Sequence, residues 1–362
     1  MKRKANIFTI EEELFESEDF TEVPPPEVVA YNELRSCADI YRMHEQGILK
    51  LYPEFQRDVV WQPPAQTRFV DSLIKQLPIP SMCFSYDAKA QEWLVIDGLQ
   101  RIFTIVRFLK GEDWQLSDLV DIDQNIAGKS VSEIKDPGST LHKYYTKIEN
   151  LTIPITVLRC NHSDKHHLSF LFIIFHRLNS EGMKLNNQEI RNCIYGGNFN
   201  RMLKTLDETP SWRKINKMKK GSTYRFTKQE LILRIFAFSE NYNAYTGHLA
   251  KFLNDYMFQF RLIKDNERQI KEAKFIRVSN FIYKRILNQT IPPRISNTLL
   301  EALFISVMHN IDRLEKQSAN RIRVFYRKLE SANEFSEESL KEGLSKKDRV
   351  IERINKAISI FS

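Results

Sequence analysis

Residues 95–101, VIDGLQR, place an acid, a glycine, an amide and a guanidinium within five positions: Asp97, Gly98, Gln100 and Arg101. Apolar residues stand on both sides, with Val95 and Ile96 before and Ile102 and Phe103 after. A strand running into a helix through a glycine turn is an arrangement that binds phosphate. The first turn of a helix has free N–H groups and a partial positive charge. Glycine lets the backbone approach an anion without a Cβ in the way. Arg101 can fork onto two phosphate oxygens, and Gln100 can donate to phosphate or position a water. Asp97 repels phosphate, so its uses are a Mg²⁺ shell, a hydroxyl contact, or an internal lock on Arg57 or Arg101. An ordinary solvated strand-to-helix turn accounts for the same five residues.

Two further stretches carry similar residue types. In PEFQRDVVW (53–61), Gln56 and Arg57 sit in a proline-bounded loop, and Trp61 either anchors that loop or stacks on a base. The plainer alternative is a surface arginine beside a core tryptophan. In FHRLNSEGMKLNNQEIRNC (175–193), Arg177, Asn179, Ser180 and Gly182 fall in a turn between helices. Asn179 and Asn186 suit helix capping there. Glu189 and Arg191 are two apart and do not share a helix face, so at least one points at another element.

The weaker signals are two. His162, Asp164, His166 and His167 have the chemistry of metal ligands. They lie at a helix start, where Ser163 or Asp164 has a capping role instead. The segment 212–228 gathers Lys214, Lys217, Lys219, Lys220 and Arg225 with Trp212 and Tyr224. Charge for phosphate and aromatics for stacking make it a candidate DNA-binding patch, with a solvated basic loop as the alternative.

The elements that must position these residues follow from periodicity and breakers. Helical spacing covers 36–49, with a Ser36 cap and a Gly47 stop, and 66–77, with Phe69, Leu73 and Leu77 on one face. Strands are expected at 78–86, 92–97 and 150–160, and a helix at 101–112 ending at Gly111. Residues 113–147 are polar and carry no clear period. From about residue 186 the strands stop and every apolar segment is helical, with a T-x-x-E capping box at Thr227 and Glu230. The final segment, 333–362, has the pattern of a terminal docking helix. The fold class is therefore α+β, with an α+β lobe over 30–185 and an all-helical lobe over 186–362.

Residues 1–29 read as an acidic flexible tail. The first 30 residues carry three basic and eight acidic side chains, a net −5, so the remainder of a chain with net charge +8 is +13. A basic body suits a polyanionic partner such as nucleic acid or a nucleotide. No apolar run approaches a membrane span, the N-terminus lacks a secretion signal, and a cytoplasmic location is the expectation. The four cysteines are far apart and read as buried thiols.

Three motifs in order, P-x-F-Q-R-x-x-V-W at 53–61, V-I-D-G-x-Q-R at 95–101 and F-x-R-L-N-S-x-G-x-x-L-x-x-Q-E-I-R-N at 175–192, resemble the GmrSD-type restriction endonuclease N-terminal domain. That family is a branch of the ParB/sulfiredoxin superfamily. The resemblance covers about residues 30–200, and FLNDYM at 252–257 extends it into the helical part. The family signature is D-G-Q-Q-R, and Leu99 replaces its first glutamine, which removes one amide donor. The resemblance implies a ParB/sulfiredoxin-like lobe that binds and hydrolyses a nucleoside triphosphate with Mg²⁺ in an anti-phage system. It places Asp97, Gln100 and Arg101 in catalysis, Asp97 on the metal, and Gln56, Arg57, Gly98, Arg177 and Asn179 in nucleotide binding. The expected partners are a nucleotide, DNA and a separate nuclease or defence subunit, with no membrane. After residue 200 only His248 and His309 occur, so a built-in HNH nuclease is not expected. The alternatives are a non-catalytic nucleotide- or DNA-binding sensor, or a nickase acting through the N-terminal lobe.

Overall fold

A computed structural model describes residues 25–51, 61–111, 114–178, 185–218, 226–290, 295–336, 339 and 344–362. Gln56, Arg57, Asn179, Lys219, Lys220 and Arg225 lie outside the described residues. The chain divides into two compact units, one within residues 22–185 and one within 186–362.

The first unit is built on a five-stranded mixed sheet of order β1-β5-β3-β4-β2. The strands are β1 (Val29–Ser36), β2 (Leu49–Lys50), β3 (Met82–Asp87), β4 (Glu92–Asp97) and β5 (Thr152–Arg159). One face is apolar. Met82, Phe84, Trp93, Val95, Ile153, Ile155 and Val157 join the core beneath α1 (Cys37–Glu45), α2 (Pro63–Ile74) and α3 (Leu99–Lys110). Ser36 caps α1 by accepting from Asp39 N–H, and Gly111 stops α3 in the left-handed region at φ +71°.

Sequence expectation and structure part in three places here. Pro63 and Pro64 precede the start at residue 66 expected for this helix. They occupy the first turn of α2, where a missing N–H costs nothing, so that helix starts earlier than the apolar period suggests. The helix also ends at Ile74, which leaves Leu77 49% exposed and off the buried face. The polar stretch after Gly111 holds two short helices, α4 (Val131–Lys135) and α5 (His142–Glu149). Its scattered apolar residues Trp114, Leu116, Ile122, Ile126, Val131 and Ile134 are all buried, too widely spaced to give a period.

The last helix of this unit, α6 (Lys165–Leu178), begins at Asp164, whose Oδ1 accepts from the N–H groups of His166 and His167. His162 N–H bonds Asp87 Oδ2, so α6 starts at the Asp87 end of the sheet, and it packs against β4.

The second unit is helical throughout its described residues. Its helices are α7 (Asn187–Ile194), α8 (Asn198–Asp207), α9 (Pro210–Ile215), α10 (Thr227–Asn241), α11 (Leu249–Phe260), α12 (Asp265–Phe281), α13 (Asn297–Leu314), α14 (Ala319–Glu330) and α15 (Lys347–Phe361). α12 runs into a π-helical segment, Ile282–Ile286. The terminal helix α15 docks on α13. The expected capping box at Thr227 is not formed. Phe226 occupies the cap in a left-handed conformation and Thr227 is already helical. The box sits instead at Asn186 and Glu189, where each side chain accepts from the other's backbone N–H at 2.9 and 2.7 Å. No described helix is long and apolar enough to cross a membrane.

Candidate functional site

The turn between β4 and α3 is shaped by a register shift. Phe84 pairs with Val95, but Cys83 pairs with Asp97, so one residue of β4 is extra. In a regular strand Asp97 would share the core face with Val95, two positions away. The bulge turns it instead to the face of Cys83. Cys83 also lies opposite Thr156, and Thr156 opposite Asn32. Paired residues share a face, so Asp97, Cys83, Thr156 and Asn32 form a row across four strands. Ser81 Oγ and Thr156 Oγ1 are 3.1 Å apart, and Thr156 donates to Asn32 Oδ1 at 2.9 Å. Sequence reasoning missed Ser81, Thr156 and Asn32. Their signal is a small polar residue on β1, another on β5 and a third just ahead of β3, and it becomes readable only once the register is known.

Gly98 heads α3 at φ +94°. An added Cβ would lie 2.5 Å from Met82 Cγ. The space a side chain would need is thus filled by the core, and packing alone requires the glycine.

Arg101, in the first turn of α3, donates Nη2 to Asp97 Oδ2 at 2.8 Å and Nη1 to the Pro80 carbonyl at 2.6 Å. Its side chain is 16% exposed and that of Asp97 34%. Of the uses open to Asp97, the lock on Arg101 is present. Three guanidinium N–H groups remain beyond these two bonds. Gln100 Oε1 accepts from Trp61 N–H at 2.8 Å, so the amide NH₂ is the end left to face a ligand. The Trp61 carbonyl accepts from buried Gln66, and Gln66 Oε1 accepts from Arg107, whose guanidinium lies 4.4 Å over Trp114. The Trp61 ring meets Phe69 edge-on. Trp61 is therefore an anchor, held to the turn through Gln100. Leu99 packs against the core.

Arg177 is exposed in the last turn of α6. At about 1.5 Å per residue, thirteen residues separate it from Asp164, roughly 20 Å along the helix that packs on β4.

The Q-E-I-R-N part of the third motif has a different role. Glu189 caps α7. Arg191, 1% exposed, bonds Asn254 Oδ1 at 2.8 Å and Glu230 Oε2 at 2.9 Å. Asn192 bonds Gln229, which reaches Asn200. The motif thus ties α7 to α10 and α11, and Asn254 of FLNDYM is one of its partners.

The 212–228 patch is only partly a surface. Trp212 is fully buried, with Nε1 on Asp207 Oδ1 at 3.1 Å, and is not available to stack on a base. Lys214 and Lys217 are exposed. The histidine cluster is engaged internally: His162 Nε2 lies 2.8 Å from Ser85 Oγ, and His167 Nδ1 accepts from Asn161 N–H. No group of three or more potential metal ligands forms among the described residues. Asp164, His166 and His167 line a cavity of about 900 Å³ at the Asp87 end of the sheet. Burial pushes the thiols of Cys37 and Cys83 up to about 12 and that of Cys160 up to about 11, so they are held as neutral thiols.

Residues 37–196 match the family model described as GmrSD restriction endonuclease, N-terminal domain. That segment is a domain of this restriction-endonuclease family. No curated protein and no solved structure matches the chain.

Proposed function

We propose that the first unit is a ParB/sulfiredoxin-like lobe that binds a nucleoside triphosphate with Mg²⁺ at the Asp97–Arg101 turn and hydrolyses it. In this reading the protein belongs to a restriction or anti-phage system, and its nucleotide state governs engagement of DNA or of a partner nuclease. The observation that carries the reading is Arg101. It is held in the first turn of a 12-residue helix by Asp97 and the Pro80 carbonyl, with donors to spare.

The donor set fits a nucleotide-borne Mg²⁺. Such an ion takes one or two carboxylates, with phosphates and water completing its shell. Asp97 Oδ2 faces Arg101, and Oδ1 has no partner among the described residues. Mg²⁺ would neutralise phosphate charge as the bond breaks. Arg101 stabilises the charge on the transferred phosphoryl group, and fixing it beforehand removes a reorganisation cost. Gln100 donates its amide N–H to a phosphate oxygen, because its carbonyl is committed to Trp61. Gln56 and Arg57 are five and four residues from anchored Trp61 in sequence, within the chain's reach of the same ligand. The family resemblance adds Arg177 and Asn179 to the same ligand.

Leu99 motivates a second reading. Where the family signature has glutamine, this side chain packs on the core and offers no donor. Binding without turnover, as a sensor or adaptor, follows if that amide is needed for hydrolysis.

Phosphate release from the four common NTPs with Mg²⁺, in wild type, Arg101→Ala and Arg101→Lys, tests the first reading. Release by wild type that falls at least 100-fold in folded Arg101→Ala is the expected result. Nucleotide binding without release would establish the sensor instead. Metal-dependent DNA nicking lost in Asp97→Ala would point to a nickase.

A further inference from the structure

We propose that a basic surface of the helical unit, carried by Lys214, Lys284, Arg321, Arg323, Arg327 and Lys328, binds the phosphate backbone of duplex DNA. It lies outside the matched domain and does not depend on the nucleotide reading.

The surface is built from packed neighbours. α9 and α14 both pack against the π segment Ile282–Ile286. Lys214 of α9 lies 5.2 Å over the ring of Tyr283 in that segment. Arg323 of α14 donates to Asn288 Oδ1 at 2.8 Å, just beyond it. Arg285 ties the segment to the Gln317 carbonyl ahead of α14.

The charge is concentrated and unpaired. Residues 316–330 hold five basic side chains and one acid, Glu330. Elsewhere on this unit arginines are matched: Arg277 with Asp312 and Glu315, Arg234 with Glu301, Arg268 with Asp265 and Glu272. Among the described residues none of the six proposed here has a carboxylate at ion-pair distance. Five of them are exposed, Arg323 partly so. The packing on Tyr283, the bond to Asn288 and, for Arg321, the Phe325 ring at 5.9 Å orient the cations without neutralising them.

The chemistry selects the partner. The apolar face of α14, Ile322, Tyr326 and Leu329, is buried in the bundle. Val324, 45% exposed, is the large apolar residue on its outer side. A membrane-surface helix needs an apolar face to insert, and a protein interface needs an apolar centre. A backbone of phosphates needs neither. α14 is about 18 Å long, and duplex DNA presents one charge per about 1.7 Å, so the helix spans roughly five base pairs.

The test is fluorescence anisotropy of a 20-base-pair duplex with the full chain, without nucleotide, from 50 to 200 mM salt. The variant is Arg321→Gln/Arg327→Gln/Lys328→Gln, all exposed positions, checked for folding by thermal melting. Each phosphate that is no longer neutralised flattens the slope of log K against log salt by about 0.9. The triple variant should flatten it by about two to three, with at least a 10-fold weaker affinity at 50 mM. Lys284→Gln should lower the slope by about one on its own. An unchanged slope and affinity in the folded triple variant overturns the proposal. So does a triple variant that no longer binds phosphatidylserine vesicles while its DNA binding is intact. Arg101→Ala should leave this DNA affinity unchanged, so failure here and failure at the nucleotide site are separable.

Discussion

Gly98→Ala tests whether the glycine of the turn serves packing or ligand approach. The left-handed backbone at φ +94° costs an L-residue about 1–2 kcal/mol. The new Cβ would sit 2.5, 2.8 and 3.0 Å from Met82 Cγ, Sδ and Cβ. Met82 is completely buried, so it must shift within a filled core, a cost of about 1–3 kcal/mol. Reduced freedom of the unfolded chain returns about 0.4–1 kcal/mol. The net expected loss is about 2–4 kcal/mol, or roughly 5–15 °C in the melting of this unit. Urea unfolding followed by fluorescence reports it well, because Trp61, Trp93 and Trp114 all belong to this unit. The decisive comparison is a double-mutant cycle. Met82→Ala alone removes a buried side chain and costs about 2–5 kcal/mol. It also makes room for the new methyl, so the double variant should be less destabilised than the sum by about 1 kcal/mol or more. Additivity within about 0.3 kcal/mol would refute the packing argument. A stable Gly98→Ala that loses nucleotide affinity would show that the glycine serves ligand approach after all.

Two further predictions concern the helical unit. Burial raises the Asp207 carboxyl to about 6, against the lowering effect of its bond from Trp212. A folded value above the unfolded one favours the protonated group, so its contribution to stability is complete below about pH 4 and lost as pH rises through about 6. Asp207→Asn, which still accepts from Trp212, should therefore stabilise the unit at pH 7 by on the order of 2–3 kcal/mol and flatten its stability between pH 4 and 6. A variant less stable than wild type at pH 7 by thermal melting contradicts this. Arg191→Ala strands Glu230 and buried Asn254, and should cost about 3–5 kcal/mol in the urea unfolding of this unit. A loss under about 1 kcal/mol would mean that the network is solvated and dispensable.

Local chemistry was legible from the sequence. Ser36, Gly47 and Gly111 bound their helices as their types require, and the change from strands to helices near residue 186 follows from period alone. What stayed hidden depends on partners distant in sequence. The bulge opposite Cys83 moves Asp97 off the core face, and nothing in EWLVID marks it. Trp212 stands in a run of lysines, yet it is core, because its aromatic packing partners, Phe275 and Phe304, come from α12 and α13. The box at Thr227 fits the pattern but loses to Phe226, while the same chemistry succeeds at Asn186, where the spacing to Glu189 is identical.

Two of the three motifs, Q-E-I-R-N and the Asp97–Arg101 turn, differ in whether their polar groups are already consumed. In Q-E-I-R-N, Glu189 accepts a backbone N–H, Arg191 is buried between Asn254 and Glu230, and Gln188 and Asn192 bond each other. A ligand would have to displace protein partners inside a closed bundle, where an unpaired arginine is costly. At Asp97–Arg101 the commitments stop halfway. Gln100 gives its carbonyl to Trp61 and keeps its amide, Arg101 uses two of five N–H groups, and Asp97 gives one oxygen to Arg101. Those bonds fix each group while leaving a ligand-facing end, the condition preorganisation demands. One motif is thus explained by stability alone, whereas the turn retains polar capacity that stability does not use.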